Sequence, residues 1–212
     1  MTRVRLRHGA IAFGSIVVWS IVAGAAPPGP RDANWPCQQI KVPELSLAAV
    51  WSGPAIDAHQ AAWKNDPEIV NLVHRLAPRR EPIDQAKTTI HDFAQHAGDQ
   101  KQAKLLALMA GLFSALGDER SSVMAGLDRF GERQKQLAVE IRADNEKLHA
   151  LQTDAGADPK AVQQMVQKVT WAATVFQDRR QALSYACDVP SKIEQRLFAF
   201  AQQIQQELQA QH

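Results

Sequence analysis

Between Val123 and Ala186 the chain repeats one pattern, with seam positions spaced alternately four and three residues apart and broken once, at Asp154-Ala155-Gly156-Ala157-Asp158-Pro159. The first series runs Val123, Leu127, Phe130, Gln134, Leu137, Ile141, Asp144, Leu148, Leu151. The second runs Val162, Met165, Val169, Ala172, Phe176, Arg179, Leu183, Ala186. A mean period of three and a half residues keeps one stripe on one side of a helix and does not match the two-residue alternation of a strand. Two such stripes joined by a short turn fold back on each other. The sequence therefore predicts an all-α fold, an antiparallel helical bundle built around a long coiled-coil-like hairpin over residues 118–187.

Symmetry about the turn sets an expected register. Leu151 faces Val162, Leu148 faces Met165, Ile141 faces Ala172, Phe130 faces Leu183 and Asp144 faces Val169. The same register places Gln134 opposite Arg179, a buried polar layer in which the amide would satisfy a guanidinium that is costly to bury alone. Cys187 falls level with Gly126, a small residue beside Leu127, which is what the N-terminal segment would need where it crosses to bring Cys37 within reach.

The flanking segments are also helical. Asp66-Pro67-Glu68 combines a capping side chain, a first-turn proline and an acid at the positive end of the dipole. Ile69, Val73 and Leu76 form the apolar face behind it, and Pro78 ends it. Pro82 opens a second helix with Ile83, Ala86, Ile90, Phe93 and Ala97 in one stripe, closed by Gly98. Asp99 is placed to cap a third, with Leu105, Leu108, Met109, Leu112, Phe113 and Leu116 on a wide face; Gly117-Asp118 either stops it or bends it. Ser191 and Glu194 have capping-box spacing for a last helix over residues 191–210, with Ile193, Leu197, Phe200, Ile204 and Leu208 on one face. Its glutamine-rich outer face, Gln202 to Gln211, is either plain solvated surface or a groove for a partner helix.

Residues 1–65 differ. Arg3, Arg5, Arg7 and His8 precede an apolar run from Gly9 to Ala26, and Ala23-Gly24-Ala25 supplies small residues before Pro27, Pro28 and Pro30. Basic, apolar and small in that order is the layout of a Sec-type signal peptide over residues 1–25, the alternative being an uncleaved inner-membrane anchor. Removing residues 1–25 leaves 21 basic against 22 acidic side chains, a formal charge of −1. That balance argues against nucleic acid, whose binding needs a basic face. Residues 26–65 hold prolines, glycines and tryptophans without a helical period and form an extended strap. Trp35, Trp51 and Trp63 either nail it to the bundle or stand as an interface.

An oxidising compartment would pair the two cysteines, Cys37 and Cys187, closing a loop worth about 4–5 kcal/mol in the chain-entropy model. The alternative is two free thiols. No phosphate-loop, dinucleotide-binding, zinc-protease, nucleophile-elbow or haem-attachment motif is present. His91 and His96 are the least weak metal candidates, with His59, His74 or Met109 as helpers. Five residues separate them by about 140° on a helix, off a common face. Arg75, Arg79 and Arg80 gather at a helix C-terminus, where cations meet the dipole and could also meet an anion.

These features point to an exported, periplasmic, non-enzymatic binding or assembly protein that works through helical surfaces. Its expected partner is another exported or envelope protein, with no cofactor, and it would touch the membrane only through an uncleaved first segment. A bundle holding a metal or small molecule in a pocket near residues 59–116 is the alternative. N-terminal sequencing of the protein from its native source should begin near Ala26; Met1 or Thr2 on membrane-bound material would establish the anchor instead.

Overall fold

The computed structural model of the chain describes Asp32 and residues 34–210, so residues 1–25, for which a signal peptide is expected, lie outside the described residues. The elements are α1 (Leu47–Val50), α2 (Pro67–Leu76), α3 (Ile83–His96), α4 (Lys101–Thr153), α5 (Pro159–Cys187) and α6 (Val189–Gln209), with single 3-10 turns at Asp57–His59, Ala62–Asn65 and Gly98–Gln100. Among the described residues there is no strand, and none of the helices is long and apolar enough to cross a membrane. The fold is all-α.

The helix starts follow local chemistry where a capping side chain is free to act. Asp66 accepts from the backbone N–H of Glu68 and Ile69, with Pro67 in the first turn, and Asp158 does the same for α5 through Lys160. Gly98 ends α3 at a φ of 52°, the left-handed conformation that glycine adopts without penalty. Two expected caps do not form. Asp99 lies inside the 3-10 turn and caps nothing, and α6 begins at Val189 without the Ser191–Glu194 box, because Glu194 turns to Arg120 instead.

Helix α4 does not stop at Gly117-Asp118. It runs unbroken for 53 residues, about 80 Å at the standard rise. A mid-helix glycine costs about 1 kcal/mol, which the burial of Leu116 and Arg120 on either side outweighs. The first half of α4 is apolar almost all round, and Leu105, Leu108, Met109, Leu112 and Leu116 lose all solvent contact. Helices α2, α3 and α6 cover it with Ile69, Val73, Leu76, Ile90, Ile193, Leu197, Phe200 and Ile204.

The second half of α4 pairs with α5 in an antiparallel hairpin. Asp144 meets Lys168, one residue from the expected Val169, and Gln134 meets the Phe176 carbonyl. The strap crosses α4 at Gly131, not at Gly126. A Cβ at 131 would collide with the Asn34 carbonyl oxygen, and Pro36 lies just beyond. From there Cys37 reaches Cys187 in a disulfide with a Cα–Cα distance of 5.7 Å. The strap does not lie down on all its apolar residues. Val50, Trp51 and Ile56 are buried, whereas Ile40 is 88% exposed and Val42 also faces solvent.

Two glycine substitutions of opposite sign test this arrangement. Gly117 has open space around its Cα, so Gly117→Ala should raise stability by about 0.5–1 kcal/mol through helix propensity. Gly131→Ala should lower it by about 1–3 kcal/mol, because the added methyl must push the strap backbone away. Urea denaturation reads both, and equal effects at the two sites would refute the crossing point.

Candidate functional site

The residues singled out from the sequence fall into three environments. Trp51 and Trp63 are buried in the core, where Trp51 donates from Nε1 to the Pro54 carbonyl at 2.8 Å and Trp63 packs at 3.1 Å from where a Cβ on Gly111 would stand. They nail the strap and are not a free interface. Trp35 is half-buried, donating to the Gln39 carbonyl at 2.7 Å, while Gln39 reaches the Cys187 carbonyl at 3.4 Å and so braces the disulfide.

The two histidines stand apart. His91 Nδ1 bonds Glu207 at 2.8 Å, whereas His96 Nδ1 donates to the carbonyl of Asp92 on its own helix at 2.6 Å. Among the described residues no three His, Cys, Asp or Glu side chains converge as metal ligands, and no hydroxyl or thiol hydrogen-bonds His91. The region 59–116 is mostly close-packed core, with a shallow depression at its edge lined by Arg75, Pro78, Arg80, Glu81, Pro82 and Gln85.

The expected Gln134–Arg179 layer does not form. Arg179 is exposed, and Gln134 donates from Nε2 to the Phe176 carbonyl at 3.3 Å, leaving its Oε1 buried without a partner. The physical reason is that a guanidinium on a long stem can leave a two-helix seam for water, whereas the shorter glutamine cannot. The polar residue that does sit in the hairpin is Asp144. It is buried, yet held by Lys168 at 2.8 Å and Lys147 at 3.7 Å. The hydrogen bond from Lys168 holds its carboxyl below the usual carboxylate range, with Lys147 adding to the effect and burial opposing it.

Three buried charges were not legible as site residues in the sequence, and each ties separate parts of the chain together. Arg120, only 3% exposed, donates to the carbonyls of Val42 at 2.7 Å and Pro43 at 3.1 Å and pairs with Glu194 at 2.5 Å. It clamps strap, α4 and α6 in one fork. Arg196 donates twice to the Leu76 carbonyl, at 2.7 and 2.9 Å, and once to Glu81 at 2.8 Å, with its guanidinium 4.8 Å from the Phe200 ring. It thereby satisfies the last carbonyl of α2 and, at Glu81, a backbone carbonyl of the α2–α3 connection. Burial lowers its pKa from the ordinary arginine value, with Glu81 and Glu119 opposing the shift. Glu207, 5% exposed, receives His91, Gln203 at 2.8 Å and Gln95 at 3.5 Å, with Lys101 at 3.9 Å.

Two apolar surfaces of the hairpin are open to solvent, its outer part and the groove at its root. From residue 128 to residue 186 no apolar side chain is fully buried. Ile141, Leu148, Leu151, Val162, Met165, Val169 and Phe176 are half-covered, and Val139, Val166 and Trp171 face solvent, Trp171 at 71% exposure. At the root, an apolar groove of about 400 Å³ runs between α4 and α5 over Val123, Gly126, Leu127, Phe130, Ala182, Leu183, Ala186 and Val189, with Arg79 at its edge. Comparison with known proteins finds no matching family model, curated protein or solved structure.

The hairpin chemistry yields two expectations. Gln134→Leu should be neutral or stabilising by up to about 1 kcal/mol, since it removes an unpartnered buried oxygen from an apolar seam, and Arg179→Leu should stay within about 0.5 kcal/mol. A clear loss from Gln134→Leu in thermal denaturation would show the amide to be needed. Asp144 has a depressed folded-state pKa, so its contribution is present above the unfolded value near 3.9 and is lost as pH falls through the folded value. Asp144→Asn should remove that acid-side component from the pH–stability curve, and an unchanged curve would count against the Lys168 pairing.

Proposed function

We propose that this is an exported, periplasmic, non-enzymatic binding protein that offers the outer hairpin to a helical segment of another envelope protein. The supporting observation is the exposure pattern beyond Gly131: a long paired arm with a half-covered apolar seam, and Trp171 held out in solvent. A solvent-exposed tryptophan is the kind of anchor that interfaces use, combining large apolar area with few rotatable bonds. The coiled-coil-like spacing supplies a continuous ridge that suits another helix in ridge-and-groove packing.

An exported location is supported by the basic, apolar and small-residue order of residues 1–25 together with the Cys37–Cys187 bond, which suits an oxidising compartment. The body is built for rigidity. Disulfide, Arg120 fork and buried tryptophans hold the strap in place, so the arm is carried on a firm base.

Photo-crosslinking from position 171 in the native envelope tests this reading. A discrete heterologous adduct is expected, lost in Thr174→Glu, an exposed position one helical turn from Trp171, while circular dichroism and thermal stability remain those of the parent within about 0.5 kcal/mol. Crosslinks that are absent, or that do not depend on position 174, would sink the proposal.

A further inference from the structure

We infer that the groove at the root of the hairpin is a binding site for a single-chain amphiphile with an anionic head, such as a fatty acid. This site is separate from the arm surface and does not depend on it.

The groove is apolar along its floor and has the Arg79–Glu119 ion pair at one end. Val123, Gly126, Leu127 and Phe130 line it from α4, and Leu183 and Ala186 from α5. From Val123 to Phe130 the helix rises about 10 Å, so the hollow is long and narrow, and its 400 Å³ falls within the range of small-molecule sites. It is roomy because the residues at its waist are small. Gly126 has nothing nearer to a built Cβ than the Arg129 guanidinium, at 3.9 Å.

Arg79 edges the groove and bonds through Nε to Glu119 at 3.3 Å; Glu119 sits one helical turn before Val123, which places the guanidinium at the Val123 end and leaves Phe130 at the other. Among the described residues the Arg79 Nη groups bond no other side chain. Arg75 and Arg80 stand on the same segment, and Glu81 is the acid that pairs with Arg75, at 3.5 Å. Arg75 and Arg80 line the neighbouring depression, so Arg79, with Nε on Glu119 and its Nη edge open, is the guanidinium that this end of the slot offers. An aliphatic chain laid from Val123 toward Phe130 would put its carboxylate within reach of that planar Nη fork, the geometry in which arginine recognises carboxylates. A peptide helix is favoured less, because the slot is only about as long as two turns and the Nη edge matches one terminal anion.

The experiment is a titration of the full exported chain with laurate below its micelle concentration, by isothermal calorimetry. Stoichiometric uptake is expected for the parent protein. Arg79→Gln should weaken laurate about tenfold, as expected for loss of a charge-assisted hydrogen bond, while leaving binding of neutral decanol unchanged. Gly126→Leu should abolish uptake of both ligands without loss of thermal stability, since leucine fills the slot and is the better helix former. No laurate uptake by the parent, or uptake that survives Gly126→Leu, would overturn the inference. Sedimentation velocity on the same proteins reads the competing occupant: a dimer dissolved by Gly126→Leu, with no laurate uptake, would assign the groove to a second copy of the chain.

Discussion

Five side chains on the first half of α4 (Leu105, Leu108, Met109, Leu112 and Leu116) have no solvent contact, and the other elements are held by covering them. At about 1.5–3 kcal/mol for each large apolar side chain, this buried stretch supplies a driving force on the order of 10 kcal/mol before chain entropy is charged against it. Helix α2 lies on it through Ile69, Val73 and Leu76, α6 through Ile193, Leu197, Phe200 and Ile204, and the strap through Trp51 and Trp63. Because α4 does not break at Gly117, the same rigid rod that fills the core continues out of it as the first leg of the hairpin. Body and arm therefore share one helix, and the arm needs no core of its own to keep its direction.

Charge performs the joining where apolar contact would be too weak to specify a path. Ahead of its buried tryptophans the strap presents the Val42 and Pro43 carbonyls to α4, and Arg120 gathers them with a fork that also takes Glu194 of α6. Arg196 does likewise for the end of α2 and the α2–α3 connection. Breaking either fork would leave buried carbonyls without donors, so such residues hold a path more firmly than their net energy suggests. Glu207 has the complementary role, collecting donors from α3, the start of α4 and α6.

The hairpin shows how far local pattern reaches. Its existence, its antiparallel sense and its approximate register followed from spacing, because a seam of period three and a half can close only against another such seam. The partner of Gln134 did not follow, and neither did the exposure of Arg179. A two-helix seam has two open edges, and whether a long polar side chain crosses the seam or leaves by an edge depends on its rotamer and on the facing side chains. Spacing carries neither. The capping box at Ser191 failed for a related reason: Glu194 had a better partner in a buried guanidinium 74 positions away in sequence.

By itself the sequence determined the helix class, the hairpin, the cap at Asp66, and the pairing of Cys37 with Cys187, since each rests on neighbours along the chain or on there being only two cysteines. Tertiary structure alone decided that Trp51 and Trp63 are core while Trp171 is surface, that Gly131 rather than Gly126 carries the crossing, and that Arg120 and Arg196 are buried. It also decided where concave surface opens: in a mostly apolar groove between α4 and α5, and in a polar depression lined by Arg75, Arg80 and Glu81. Periodicity says which side of a helix is apolar. It does not say how much of that side another element covers, because coverage is settled by where distant segments come to rest.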